Sequence, residues 1–247
     1  MAEEEQAPSK EQQLWTACTD DDLEKVILLA GDETVDVNWV GKDRLDTSLH
    51  RACRFGHLEI VKVMLAQEKI EVNKGNKGDA SPFNIACQEG HKEVVSLLLA
   101  DPKIDPNKPR NDGASSFFIA CQFGHKEIVS LLLADPKVDL NEPQKEGATP
   151  FYIACQQGHK EVVSLLLAVA RIDPNTAKKN RATPFFARCL NGHKEVVSLL
   201  LDDPRIDITC QALTGETALE AAFRNGHINI ARDLLKIREF EFHHLIF

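Results

Sequence analysis

The chain has 247 residues, enough for one or two domains with a full core. Its composition is 43% hydrophobic, 27% charged and only 6% aromatic, that of a globular protein. A formal charge of -9 argues against nucleic acid or an anionic membrane as general partner, and no apolar run approaches the roughly 20 residues that cross a bilayer.

The opening "MAEEEQAPSK" is acidic and polar, which does not suit a signal peptide. It reads as a disordered lead over residues 1–10 and points to an intracellular protein, cytoplasmic or nuclear. A first helical unit follows, "EQQLWTACTDDDLEKVILLAGDETVDVN", over about 11–38. From there the chain copies itself. Gly56, Gly90, Gly124, Gly158, Gly192 and Gly226 recur at a constant 34-residue step, each followed by histidine. Such self-similarity signals a stacked repeat array.

One copy shows what each repeat folds into. Ser81 suits a helix N-cap and Pro82 its first turn. "FNIACQE" continues that helix until Gly90 breaks it. A second helix is predicted from about Lys92 to Ala100, with Val94, Val95, Leu97, Leu98 and Leu99 on its buried face. Asp101 before Pro102 ends it, because a residue preceding proline is pushed out of helical geometry. "KIDPNKPRNDGA" is then a long turn. Two short helices and an extended loop exclude a tetratricopeptide unit, which shares the period but is nearly all helix.

"DGASSFFIACQFGHKEIVSLLLADPKVDLN" and "EGATPFYIACQQGHKEVVSLLLAVARIDPN" resemble ankyrin repeats, with consensus G-x-T-P-L-H-x-A-A-x-x-G-H-x-x-[IV]-V-x-x-L-L. The resemblance runs from about Glu11 to Ile237. It departs in one residue added after the second helix and in Phe83-Asn84, Phe117-Phe118, Phe151-Tyr152 and Phe185-Phe186 where the family has Leu-His. It implies an all-α fold with β-turn or hairpin loops: a single elongated, curved α-solenoid. Its units are expected at about 11–38, 39–73, 74–107, 108–141, 142–175, 176–209 and 210–237. Asp21 and Asp22 in place of Gly-His, with Lys25, read as a polar first cap; Thr217 and Glu220 form a capping box in the last unit. The apolar tail 238–247, "EFEFHHLIF" after Arg238, either folds back on the last unit or docks another chain.

No phosphate loop, metalloprotease or nucleophile-elbow motif occurs, so neither an enzyme nor a bound cofactor or metal is expected. Cysteine four residues before histidine recurs at Cys87/His91, Cys121/His125, Cys155/His159 and Cys189/His193. A glycine turn intervenes, and no carboxylate or second cysteine completes a nucleophilic or zinc site. By resemblance the histidine braces the inter-helix turn, and Asn38, Asn73, Asn107, Asn141 and Asn175 stabilise the turns between units. The cysteines read as small buried apolar residues.

The family's recognition surface is its loop tips and the concave face of its first helices. Carried over by position, it holds Arg44, Asp46, Arg54 and Phe55 in the second unit, then Lys77, Gln88 and Glu89. It continues through Asn111, Asp112, Gln122 and Phe123; Lys145, Glu146, Gln156 and Gln157; Lys179, Asn180, Arg188 and Asn191; and Arg224 and Asn225. Phe55 and Phe123 stand where other units have polar residues, as hot spots would. Arg188 replaces the alanine of Ala86, Ala120 and Ala154, so it either escapes along the surface or meets an acid. With Arg171, Lys178, Lys179 and Arg181 it forms a basic patch, a solvated face or a dock for an acidic or phosphorylated peptide. The expected activity is that of a monomeric scaffold or adaptor for a protein partner. The alternative is a regulatory inhibitor occluding an enzyme.

Overall fold

A computed structural model describes residues 7–236; the lead's residues 1–6, Ile237 and the tail 238–247 lie outside the described residues. Helices are short and come in pairs. The first unit, to Ser116, contains α1 (Lys10–Asp20), α2 (Leu23–Ala30), α3 (Ser48–Phe55), α4 (Leu58–Leu65), α5 (Pro82–Glu89) and α6 (Lys92–Ala100). The second opens with α7 (Ser116–Phe123) and α8 (Lys126–Ala134). It continues through α9 (Pro150–Gln157), α10 (Lys160–Leu167), α11 (Pro184–Asn191), α12 (Lys194–Leu201) and α13 (Ala218–Arg224). A last helix, α14, is described over 228–236. Among the described residues the only β pairing is two isolated bridges, Val40 with Thr47 and Gln211 with Thr217.

Each helix starts and stops for a local reason. The Ser81 hydroxyl accepts from the Asn84 N–H while the Asn84 side chain accepts from the Ser81 N–H, so two orphan donors are met at once. Thr149 and Thr183 cap α9 and α11, with Pro150 and Pro184 in the first turn. At the other end Gly56 is left-handed at φ 75°, and a Cβ there would come within 2.6 Å of the His91 ring, so only glycine fits. The expected α6 appears with its predicted bounds, and Asp101 leaves it in extended geometry ahead of Pro102. The predicted first cap also forms: Asp21 takes the left-handed turn and Asp22 accepts from the Lys25 N–H. The lead is shorter than expected, since Ser9 already caps α1 and helix begins at Lys10.

Eight- and nine-residue helices are not stable alone in water. In the first unit α1 packs on α3 and α3 on α5, while α2, α4 and α6 form the second layer. In the second unit α9, α11 and α13 make one layer and α8, α10 and α12 the other. The interlayer core repeats residue for residue. Phe83, Val95 and Leu98 are fully buried in one copy and Phe151, Val163 and Leu166 in another. Each such side chain contributes on the order of 1.5–3 kcal/mol. All six cysteines in the period are buried and unbonded.

Candidate functional site

Two ladders of side chains hold neighbouring repeats in register and so place the surface. The histidine after each glycine reaches back one repeat. His57 Nε2 lies 3.1 Å from the Thr19 carbonyl, His91 Nε2 2.8 Å from Arg54's, His159 Nε2 2.8 Å from Gln122's and His227 Nε2 3.0 Å from Leu190's. The brace expected of it therefore runs between repeats, onto the last turn of the preceding first helix, where carbonyls lack helical partners. The asparagines form the second ladder. The Asn38 amide donates to the Lys69 carbonyl and accepts from the Glu71 N–H; Asn175 does the same with Arg205 and Asp207.

The loop tips form a third set of contacts. The Lys77 N–H donates to the Arg44 carbonyl at 2.8 Å and the Asn111 N–H to Gly78's at 2.9 Å. In the second unit, Lys179 donates to the Glu146 carbonyl and Leu213 to Asn180's. Tip side chains are thereby spaced one per repeat and turned outward: Arg44, Lys77, Asn111, Asp112, Lys145, Glu146, Lys179 and Asn180 are exposed.

On the first helices, Glu89, Gln157, Asn191, Arg224 and Asn225 are exposed, and Gln88, Gln122 and Gln156 half-buried. Phe55 and Phe123 are 44% and 47% exposed, unusual for so large an apolar side chain. Each ring stacks on the histidine of its own turn, Phe55 on His57 at 5.9 Å and Phe123 on His125 at 6.1 Å. Phe223, on α13, is also exposed.

Three candidates sit differently from expectation. Asp46 is only 1% exposed. Its carboxylate accepts from Arg54 Nη2 at 3.2 Å and from Asn76 Nδ2 at 2.8 Å, satisfying a buried charge at the base of the tips. Arg54 is held between Asp46 and Glu89, its side chain mostly covered. Arg188 is wholly buried, so it takes neither expected course. Its Nη1 donates to the carbonyls of Cys155 and Gln156 at the C-terminus of α9, while Nε and Nη2 have no partner. A helix C-terminus carries partial negative charge and open carbonyls, which substitutes for the missing acid. The basic patch thus loses its central member.

Nucleophilic chemistry finds no support at the Cys/His pairs. Burial pushes the Cys87, Cys121 and Cys155 thiols well above their ordinary range, and Cys189 to about 12, so the reactive thiolate is suppressed. The His91 and His159 rings are already committed to backbone carbonyls. Among the described residues no group of three His, Cys, Asp or Glu is placed to hold a metal, and no helix is long and apolar enough to cross a membrane.

Paired helices stacked in two layers within each unit, tied by side chain-to-backbone ladders and carrying projecting tips, define a helical repeat protein. The ankyrin-repeat family model matches three times, over residues 14–110, 83–178 and 167–243. The chain belongs to the ankyrin-repeat family, whose repeats are protein–protein interaction modules and typically not enzymes. No curated protein matches it.

Proposed function

We propose that this chain is a scaffold or adaptor that holds a protein partner against its first helices and loop tips, within the repeat array at about 11–237. The observation that carries the reading is the exposure of Phe55 and Phe123 at a first-helix position that other repeats fill with Glu89, Gln157, Asn191 and Asn225. Aromatic side chains dominate interface energetics when a partner buries them. Glu89, Gln157 and the polar tips would form the rim around such anchors.

Replacing both phenylalanines tests this. The F55A/F123A chain should lose a captured partner by tenfold or more while melting within a few degrees of the parent, because neither ring lies in the core. Unchanged capture would remove the assignment. Assaying a captured enzyme with and without the chain separates an adaptor, which leaves activity intact, from an occluding inhibitor.

A further inference from the structure

The first unit carries a groove whose chemistry is opposite to that of the chain. Two adjoining cavities of about 430 and 410 Å³ lie along its tips and share Arg44. The first is walled by both tryptophans of the protein, Trp15 and Trp39, with Gly41, Lys42 and Arg51. The second is lined by Lys77, Asn111, Arg110 and Asp112. Five cations (Lys42, Arg44, Arg51, Lys77 and Arg110) face three acids (Asp43, Asp46 and Asp112) across the two. Asp46 is already neutralised by Arg54 at 3.2 Å, with the largely exposed Arg44 3.9 Å away, and Asp112 by Arg110 at 2.6 Å. The groove is therefore cationic on a chain of net charge -9.

Arg51 is the part built most deliberately. Its guanidinium lies 4.4 Å over the Trp15 ring and 4.8 Å over the Phe55 ring, and its Nε donates to Thr19 Oγ1 at 3.0 Å. Trp15 is itself fixed, its indole N–H donating to the Asp46 carbonyl at 2.9 Å. A planar fork is thus clamped between two aromatic faces, with its Nη groups left to a ligand. That pre-organisation suits a carboxylate, which takes two parallel N–H bonds. The tryptophan-walled cavity beside it has room for one large side chain.

We infer that this groove receives an extended acidic segment of a partner protein, an aromatic side chain seated between Trp15 and Trp39 and adjacent carboxylates on Arg51, Arg44 and Lys77. This deepens the protein-binding reading above and rests on it.

Because both tryptophans wall the cavity, intrinsic fluorescence reports its occupancy. The full chain is titrated at low salt with the blocked peptide EEEFEEE. A saturable change is expected, weakened about tenfold by R51Q and likewise by K42E/K77E, a pair of exposed groove lysines outside the ion pairs of the fold. It should fade at high salt, where screening shortens to a few ångströms. No saturable change up to millimolar peptide would overturn the proposal. So would an equal response to QQQFQQQ, which would point to an apolar partner, or a tighter response to a single-stranded thymidine oligonucleotide. If the peptide fails while F123A, in the other unit, still weakens a captured partner, the general reading survives; if both fail, it falls too.

Discussion

His50 illustrates how far one side chain's surroundings govern its chemistry. It is fully buried at the third position of α3, where its Nδ1 accepts from the Thr47 N–H at 3.1 Å and its Nε2 faces the Ala80 carbonyl at 2.8 Å. A backbone N–H only donates and a carbonyl only accepts, so the ring is held neutral with its proton on Nε2. Burial pushes its pKa down to about 4, partly offset by the Ala80 carbonyl. Between the ordinary value near 6.5 and 4, the unfolded chain takes up a proton that the folded chain refuses. The stability this residue contributes is complete above pH 6.5 and is lost as pH falls through 4, roughly 3 kcal/mol in all. Asn84 holds the same position one repeat on and does not titrate there. The H50N chain should therefore lose less stability than the parent between pH 7 and 4.5 in denaturant titrations; equal losses would exclude the linkage. Arg188 is the converse case, a charge buried with two nitrogens unpaired. R188M keeps the volume, removes the unpaired donors and leaves the Gln156 carbonyl to His193, the partner expected from the ladder. It should raise stability by about 1–3 kcal/mol, readable as a higher melting temperature. A clear fall would mean that the α9 carbonyls depend on the guanidinium.

Elements in this chain are set by their ends. The tips place a left-handed residue before the first helix, and Gly147 and Gly215 fill it at φ 84° and 80° without cost. Leu45, Asp79 and Arg181 occupy the equivalent places at φ 55°, 56° and 62°, where a Cβ crowds the following carbonyl by about 1 kcal/mol. R181G should consequently raise the melting temperature slightly, despite the greater freedom it gives the unfolded chain; a drop would show that the Arg181 side chain makes up for its backbone. Much at this scale was readable beforehand. Ser81, Pro82, Gly90 and the Asp101-Pro102 pair each act locally, and the helices they delimit fall within a residue of expectation. The tip ladder was not legible, since the bond from Lys77 to Arg44 joins residues that only stacking brings together.

For the whole molecule, stability resides in the contacts between copies. A lone repeat such as 142–175 would expose Phe151, Val163 and Leu166 and lose the asparagine and histidine bonds to its neighbours. As an isolated peptide it should show little helical circular dichroism, whereas the full chain melts as a folded protein. A folded single repeat would contradict that view. The same dependence governs the candidate surface. Position in the repeat nominated Phe55, Phe123 and the tips, which the packing leaves exposed, but also Asp46 and Arg188, which it buries. It passed over Trp15, Lys42 and Arg51, because the groove they line joins α1 to the loop before α3.

By itself the sequence determined the repeat, its 34-residue period, the two helices of each copy and the residues that cap them. These follow from local rules of turn geometry and hydrophobic spacing, which act within a few residues. Only the tertiary structure decided which charges are satisfied inside, which rings stay in solvent and that cations outnumber acids in a groove walled by two tryptophans on an acidic chain. Burial and pairing depend on side chains contributed by neighbouring repeats, some 30 or more positions away, and no local rule spans that distance.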